Sequence, residues 1–546
     1  MRKLAHVLFF TIIAILIVNH VNFVTATEDA KNDLGKSIDE LKKVLEHEPS
    51  NVDVHYYLGL AYHDNGMVSE AIGELNKTLE LDQNYVNAYF NLGTIHTSQG
   101  NIDSAIDIFK KLLQTDAANA RAEYNLGFLY NEKGLIDDAI AAYKKAIQMK
   151  PDYYQSLNNL GIIYFKKGLL DNAVAIYTKA IEVNADYAES YYNLGTTYLE
   201  QGQLDNAISQ LEKSTSLAPD FAGAYYNLGI AYRKKGMPDK AISALNKALE
   251  INPEDLQALN ILAITLHEKG KFEDAIFAYE NIAAITPKDA NVRYNLGISY
   301  YKAGMRKEAI SELQKALKLE PNHTKAHYNL GVIYMKINKL SKSIAEFKKT
   351  LKTEPGHAEA YVNLGVVFYG QGLPEEAITA YNRALEIKPD YAEAYYNASF
   401  AYLKKGLIED AINMLKKGIE LNPDRGLLYF LLGNAYSDKG LLDEAITAWE
   451  NAIAKNQKHY KAYNNLGFAY YSKGLADRAI ASLKSAIEIK ENYAEAHYHL
   501  GSIYIEKEML KEAVSELNRT IELKPDHTKA HYNLGLIYRH LGDMDN

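Results

Sequence analysis

Between Gly59 and Gly535 the chain returns to the same pattern every 34 residues, without one insertion or deletion. Steps of 34 from Gly59 reach Gly93, Gly127, Gly161, Gly195, Gly229, Ala263, Gly297, Gly331, Gly365, Ser399, Gly433, Gly467, Gly501 and Gly535, so 13 of 15 stops are glycine and the other two are small. Ten of the twelve prolines lie ten residues before one of these frame positions, and Pro238 and Pro374 lie nine after one. A self-similar period between about 20 and 50 residues marks a solenoid, whose repeats bury their apolar faces only against their neighbours. Length alone would suggest several globular domains. The unbroken phase replaces that expectation with one all-α array and leaves no room for a domain of another kind.

Each repeat reads as two antiparallel helices. In "YAESYYNLGTTYLEQGQLDNAISQLEKSTSLAPD" the first amphipathic run closes at Gly202, which can take the left-handed conformation, and the second run begins just after it. Glycine recurs at that turn except at Asn338, which tolerates the conformation, and Glu508, which is expected to be strained. Pro238 and Pro374 fall in the first turn of a second helix, where a missing N–H costs nothing, and the other prolines fall past its end. Small residues twelve after the frame position, such as Ala71, Ala173 and Ser343, let the two helices approach closely.

Leu-Gly, Tyr three residues on, Gly at the turn, Ala in the second helix, an aromatic or Leu four later and Pro at the exit: this pattern resembles the tetratricopeptide repeat over roughly residues 37 to 546. The resemblance implies a right-handed superhelix of about 15 helix pairs, with first helices lining a concave groove that binds peptide or protein. Counted from the family's usual start, residues 52–527 hold fourteen complete repeats. Ser37 to Asn51 then forms a lone second helix, and Thr528 to Asn546 a lone first helix.

Two residues before the frame stand Asn91, Asn125, Asn159, Asn193, Asn227, Asn295, Asn329, Asn363, Asn397, Asn465 and Asn533, interrupted by Tyr57, Ile261, Leu431 and His499. An Asn amide offers a donor and an acceptor, so a ladder of them can pair with the backbone of an extended chain whatever its side chains. The ladder resembles the repeat domain of O-linked N-acetylglucosamine transferases, where such residues hold substrate polypeptide. The other reading is that each Asn bonds within its own helix. One residue earlier come aromatics, including Tyr124, Tyr192, Tyr226, Tyr294, Tyr328 and Tyr396, which either clamp a ligand or pack between neighbouring first helices. A second tyrosine series three residues after the frame, from Tyr62 to Tyr538, reads as core, as does Trp449.

Residues 1–26 carry Arg2 and Lys3, an apolar run from Val7 to Val18, and Val24-Thr25-Ala26 before a cleavage point. This predicts a signal peptide and export to a bacterial periplasm, cell surface or extracellular space, with membrane attachment only if the segment stays uncleaved. The absence of cysteine excludes a disulfide framework and a lipidated Cys. Net charge is -9 overall, but the chain carries 13 Lys and Arg against 5 Asp and Glu from Ala290 to His357. That segment reads as a solvated outer face or as a site for an acidic partner near Arg293, Lys302, Lys325 and Lys336. Nucleic acid is not expected, because no basic stripe interleaves with groove aromatics.

No phosphate-cradling loop, zinc-protease motif or nucleophile elbow is present. His323 with His327, and His527 with His531, have i, i+4 spacing but straddle a turn and a helix start. No enzyme activity, cofactor or metal is expected. The reading favoured is an exported scaffold that binds extended polypeptide. Two alternatives stand beside it: a structural protein forming head-to-tail fibres through Thr528 to Asn546 and Ser37 to Asn51, and the substrate-recruiting part of a glycosyltransferase whose catalytic domain is missing.

Overall fold

The computed structural model describes residues 28–542. The expected signal segment, residues 1–26, and the last four residues lie outside the described residues. Thirty helices and no strands are found there. Each first helix has 13 residues and each second helix 14, as in Val52–Asp64 and Val68–Leu81. A three-residue turn and a four-residue link complete the period, so the helix boundaries repeat with the sequence phase from Val52 to Leu523. The N-terminal helix, Glu28–His47, is longer than the sequence suggested and begins nine residues before Ser37. The lone last helix is Thr528–Leu541. None of the described helices is long and apolar enough to cross a membrane.

The turn between paired helices is closed in the same way throughout. The N–H of Met67 reaches back to the Tyr62 carbonyl at 2.8 Å, and Lys339 and Met509 repeat that bond to Tyr334 and Tyr504. The closure needs a left-handed residue just before it. Gly66 supplies one with φ +77°, while Asn338 and Glu508 are held at φ 57° and 59°. Geometry is therefore kept where glycine is absent, at a local cost of roughly 1 kcal/mol or more for Glu508.

Helix pairing depends on the frame glycine. A Cβ built on Gly161 would lie 2.5 Å from the Tyr177 ring, and one on Gly433 2.5 Å from the Trp449 indole. The large side chain of the second helix is seated on a bare stretch of the first, and Tyr177 is 1% exposed as a result. The alanine twelve after the frame is fully buried in each pair from Ala71 to Ala513, and Ser343, which replaces it once, is buried as well. There the hydroxyl donates to the Gly331 carbonyl at 2.8 Å, so a polar atom enters the core satisfied.

The contacts divide the chain into two bodies, one ending at Ala278 and one beginning at Tyr279. Within each, a second helix packs on its own first helix and on the next one, as Val68–Leu81 does on Val52–Asp64 and on Val86–Ser98. Successive first helices also touch, for example Tyr154–Lys166 against Ala188–Glu200 in one body and Tyr460–Ser472 against Ala494–Glu506 in the other. The candidate surface is therefore a row of neighbouring first helices in each body. Exposed turns are tied by a recurring ion pair thirty residues apart, such as Lys167 with Asp137 at 3.1 Å and Lys405 with Glu375 at 3.4 Å. Each is solvent-facing and contributes well under about 1 kcal/mol.

Candidate binding surface

All eleven ladder asparagines are half-buried on the first helices. Most neither stand free nor bond within their own helix: they reach across to the preceding repeat. Asn91, Asn329 and Asn363 donate through Nδ2 to the hydroxyls of Tyr56, Tyr294 and Tyr328 at 3.0, 3.1 and 3.1 Å. Asn159 approaches the Tyr124 and Tyr143 hydroxyls at 3.4 Å each.

The preceding repeat decides the partner except at Asn533, where Tyr498 and Ser502 stand at both offsets unused. Asn125 follows Phe90, which has no hydroxyl, and it turns back to the Arg121 carbonyl at 3.0 Å. Asn193 donates to Asn158 Oδ1 at 3.0 Å, Asn227 to Thr196 Oγ1 at 2.9 Å and Asn465 to Asn434 Oδ1 at 3.0 Å. Ahead of Asn397 stand Val362 and Val366, with nothing to offer, and its side chain makes no hydrogen bond among the described residues, nor does that of Asn533. Asn295 is half-buried like the rest.

The amide orientation follows from these partners. The Thr196 hydroxyl donates to the Tyr192 carbonyl at 2.7 Å, so toward Asn227 it must accept. The Lys325 carbonyl, 2.9 Å from Asn329 Nδ2, can only accept. Asn329 thus spends both N–H groups, whereas Asn91, Asn227 and Asn363 spend one and keep the carbonyl and a second N–H.

Of the aromatics one residue earlier, Tyr124, Tyr294 and Tyr328 are held from two sides, by a ladder amide and by a ring that begins the next first helix. Tyr124 packs on Tyr153 with ring centroids 5.1 Å apart, Tyr192 on Phe221 at 4.7 Å, Tyr294 on His323 at 4.9 Å and Tyr328 on His357 at 4.7 Å. Tyr396 lies under the Arg425 guanidinium at 4.1 Å. The partner in each case caps the next first helix. Tyr226 faces Asp255 at that cap position, and burial, followed by the Asp255 charge, raises its hydroxyl above the usual range. Burial likewise raises Tyr294 and Tyr328, with the Asn329 and Asn363 bonds opposing. The six tyrosines are thus half-buried struts between repeats, each with part of its ring still on the surface.

These cap residues were missed in the sequence, although the same count would have found them eight before the frame: Tyr85, Tyr153, Phe221, His323, His357, His459 and His527. The histidines cap by an unusual route, their Nδ1 accepting from the backbone N–H three residues on, at 3.2 Å for His323 and 3.1 Å for His527. His327 does something else. Its Nδ1 meets Glu346 at 2.5 Å and its Nε2 the Pro321 carbonyl at 2.9 Å. The spacing that suggested a pair therefore joins a cap to a histidine–carboxylate hydrogen bond, and no cluster of metal-ligating groups occurs among the described residues.

Of the basic residues considered for an acidic partner, Arg293 is committed internally, to Glu312 and the Ala283 carbonyl at 3.3 Å each. Lys302, Lys325 and Lys336 remain exposed.

Comparison with known families matches this pattern nearly end to end. Tetratricopeptide repeat models match residues 30–66, 129–168, 375–406, 433–474 and 469–508, and others match 86–119, 359–390, 392–425, 494–527 and 528–546. The chain belongs to the tetratricopeptide repeat family. A tetratricopeptide model described as the C-terminal domain of cilia and flagella-associated protein 70 matches residues 154–360. Among curated proteins no relative matches.

Solved tetratricopeptide structures resemble parts of the chain. MamA is 32% identical over 30% of this chain and 95% of its own, with a TM-score of 0.29. YrrB, described as a TPR protein with an unusual peptide-binding site, is 26% identical over 34% of this chain and 96% of its own, with a TM-score of 0.31. Cut9 in its complex with Hcn1 is 20% identical over 90% of this chain and 98% of its own, with a TM-score of 0.33. Scores this low carry no argument about function, and membership rests on the tetratricopeptide models.

Proposed function

We propose that the protein is an exported scaffold whose first-helix surface holds polypeptide in an extended conformation. One observation carries this reading: the ladder amides of Asn91, Asn227 and Asn363, which have spent one N–H on the preceding repeat, still present a carbonyl and a second N–H, the pair of groups an extended backbone requires. The bond to the preceding repeat also fixes the amide's direction, so little side-chain entropy is lost on binding. Tetratricopeptide scaffolds bind protein partners, and the protein's partners belong to that class. Export rests on residues 1–26, and the mass of the mature chain recovered outside the cytoplasm tests it.

The binding test uses an acetylated, amidated pool of randomised twelve-residue peptides and the full chain. Asn397→Ala removes an amide that makes no internal hydrogen bond, so affinity falls several-fold while the melting temperature stays put. Unchanged affinity in Asn397→Ala, or no binding of the pool to the wild type, overturns the reading.

A second reading, head-to-tail self-association, is favoured by the face of Thr528–Leu541. Tyr532 is 66% and Leu536 45% exposed there. His531 Nε2 meets the Pro525 carbonyl at 2.9 Å, as His327 meets Pro321, but its Nδ1 has no carboxylate among the described residues. Glu40 holds the register of Glu346 in the N-terminal helix. Sedimentation across a concentration range tests it, and a monomer at every concentration removes it.

A further inference from the structure

The regular ladder gives way over three successive repeats, where Leu431 and His499 replace Asn and Asn434 takes a position filled by Ile162, Ile230 or Val332 elsewhere. Around these residues lies a cavity of about 320 Å³, lined by Asn434, Asp438, Trp449, Asn465, Phe468 and His499.

The polarity of its hydrogen bonds can be followed from one end. The Trp449 indole N–H can only donate, and it donates to Asn434 Oδ1 at 3.0 Å. Asn465 Nδ2 donates to that same oxygen at 3.0 Å, which turns Asn465 Oδ1 toward Asn464 Nδ2, 3.3 Å away. Asn464 Oδ1 then faces His499 Nδ1 at 3.2 Å, and as an acceptor it requires the proton on that nitrogen. Burial holds His499 below its usual value, so the ring is neutral at pH 7 and its Nε2 carries a lone pair.

Two further groups face the same space. Asp438 is exposed and has no cationic partner among the described residues. Phe468 is 52% exposed, and its ring centroid lies 5.2 Å from that of His499. A carboxylate, a ring face and an imidazole lone pair are what a cation binds. An anion would meet repulsion from Asp438, and an aliphatic side chain would gain nothing from the carboxylate or the imidazole lone pair.

We propose that this cavity is a subsite for a lysine or arginine side chain of the polypeptide lying along the first helices. It rests on the binding function proposed above and gives that otherwise sequence-blind surface one position of side-chain preference.

Trp449 is the only tryptophan in the chain, so its emission reports on this cavity alone. The full chain is titrated with four pools of acetylated, amidated twelve-residue peptides whose central residue is Lys, Arg, norleucine or Glu. The Lys and Arg pools are expected to shift the Trp449 emission and to bind about tenfold more tightly than norleucine, with Glu weakest. Asp438→Asn, a surface change, is expected to bring all four pools together without altering the melting temperature, and Phe468→Leu to weaken the cationic pools. Equal affinity for all four pools, or a Lys preference that survives Asp438→Asn, overturns the subsite. If Asn397→Ala still weakens every pool in that case, the binding surface itself stands. No binding of any pool removes both.

Discussion

The His497 ring is gripped at both nitrogens, Nδ1 lying 2.5 Å from the Glu516 carboxylate and Nε2 2.9 Å from the Glu491 carbonyl. Burial alone would lower its pKa, but the carboxylate and the carbonyl outweigh it and the net shift is upward. A raised histidine pKa means that the native state binds the proton more tightly than the unfolded chain. The stabilisation is complete below the unfolded value of about 6.5 and is lost as pH rises through the folded value. Denaturant unfolding of wild type and His497→Gln should therefore differ by about 1–3 kcal/mol near pH 6 and converge on the alkaline side.

The histidine caps behave in the opposite sense. Burial, helped by the Lys461 charge, lowers His459 against the effect of a hydrogen bond to its own backbone, and its Nδ1 accepts from the Ala462 N–H at 3.2 Å. A depressed pKa gives stability that is present above about pH 6.5 and lost as pH falls through the folded value. His459→Asn keeps a capping oxygen without the titration. Its melting temperature should fall less than that of wild type between pH 7 and pH 5, and parallel decline would refute the cap.

Two glycine-to-alanine changes should carry opposite signs. Gly73 lies inside the helix Val68–Leu81 with nothing within 4 Å of an added Cβ, so Gly73→Ala should stabilise by about 0.5–1 kcal/mol. Gly161→Ala would press on the buried Tyr177 ring and should cost about 1–3 kcal/mol. Chemical denaturation of the two variants side by side checks both.

Glu508 holds a left-handed backbone, φ 59°, that glycine adopts freely. Glu508→Gly should gain about 1 kcal/mol from released strain, less what glycine's freedom in the unfolded chain takes back. A loss of stability in this variant would mean that the Glu508 side chain contributes more than the strain it imposes.

Removing ladder amides should separate into two kinds of variant. Asn227→Ala deletes the bond to Thr196 and should cost about 0.5–1.5 kcal/mol of stability. Asn397→Ala should cost almost none. Thermal unfolding distinguishes them before any ligand is added.

The sequence phase predicted every helix pair from Val52 to Leu523 because each boundary is written locally, by a turn residue, a small residue or a proline. It also located the two positions, Asn338 and Glu508, where a side chain must take glycine's conformation. The start of the N-terminal helix was not legible, since Glu28 to Lys36 lacks the phase and extends the helix through ordinary helix-forming residues.

At the candidate surface the asparagines and tyrosines could be selected by register, but their partners could not. Asn329 finds Tyr294 across an offset of 35 residues, whereas Asn227 finds Thr196 across 31. Which offset is used depends on what the preceding repeat happens to carry. The polarity of the cavity at His499 was hidden for the same reason, because its direction is set at Trp449, fifty residues earlier.

These short offsets govern how the chain is made as well as how it stands. The bonds between repeats reach 31 or 35 residues along the chain, as from Asn227 to Thr196 and from Arg233 to Glu268. Each repeat therefore has all its partners within the stretch just synthesised or just threaded, and it can close before distant parts of the chain exist. A faulty repeat becomes a local break with folded neighbours on either side, not a collapse of the whole.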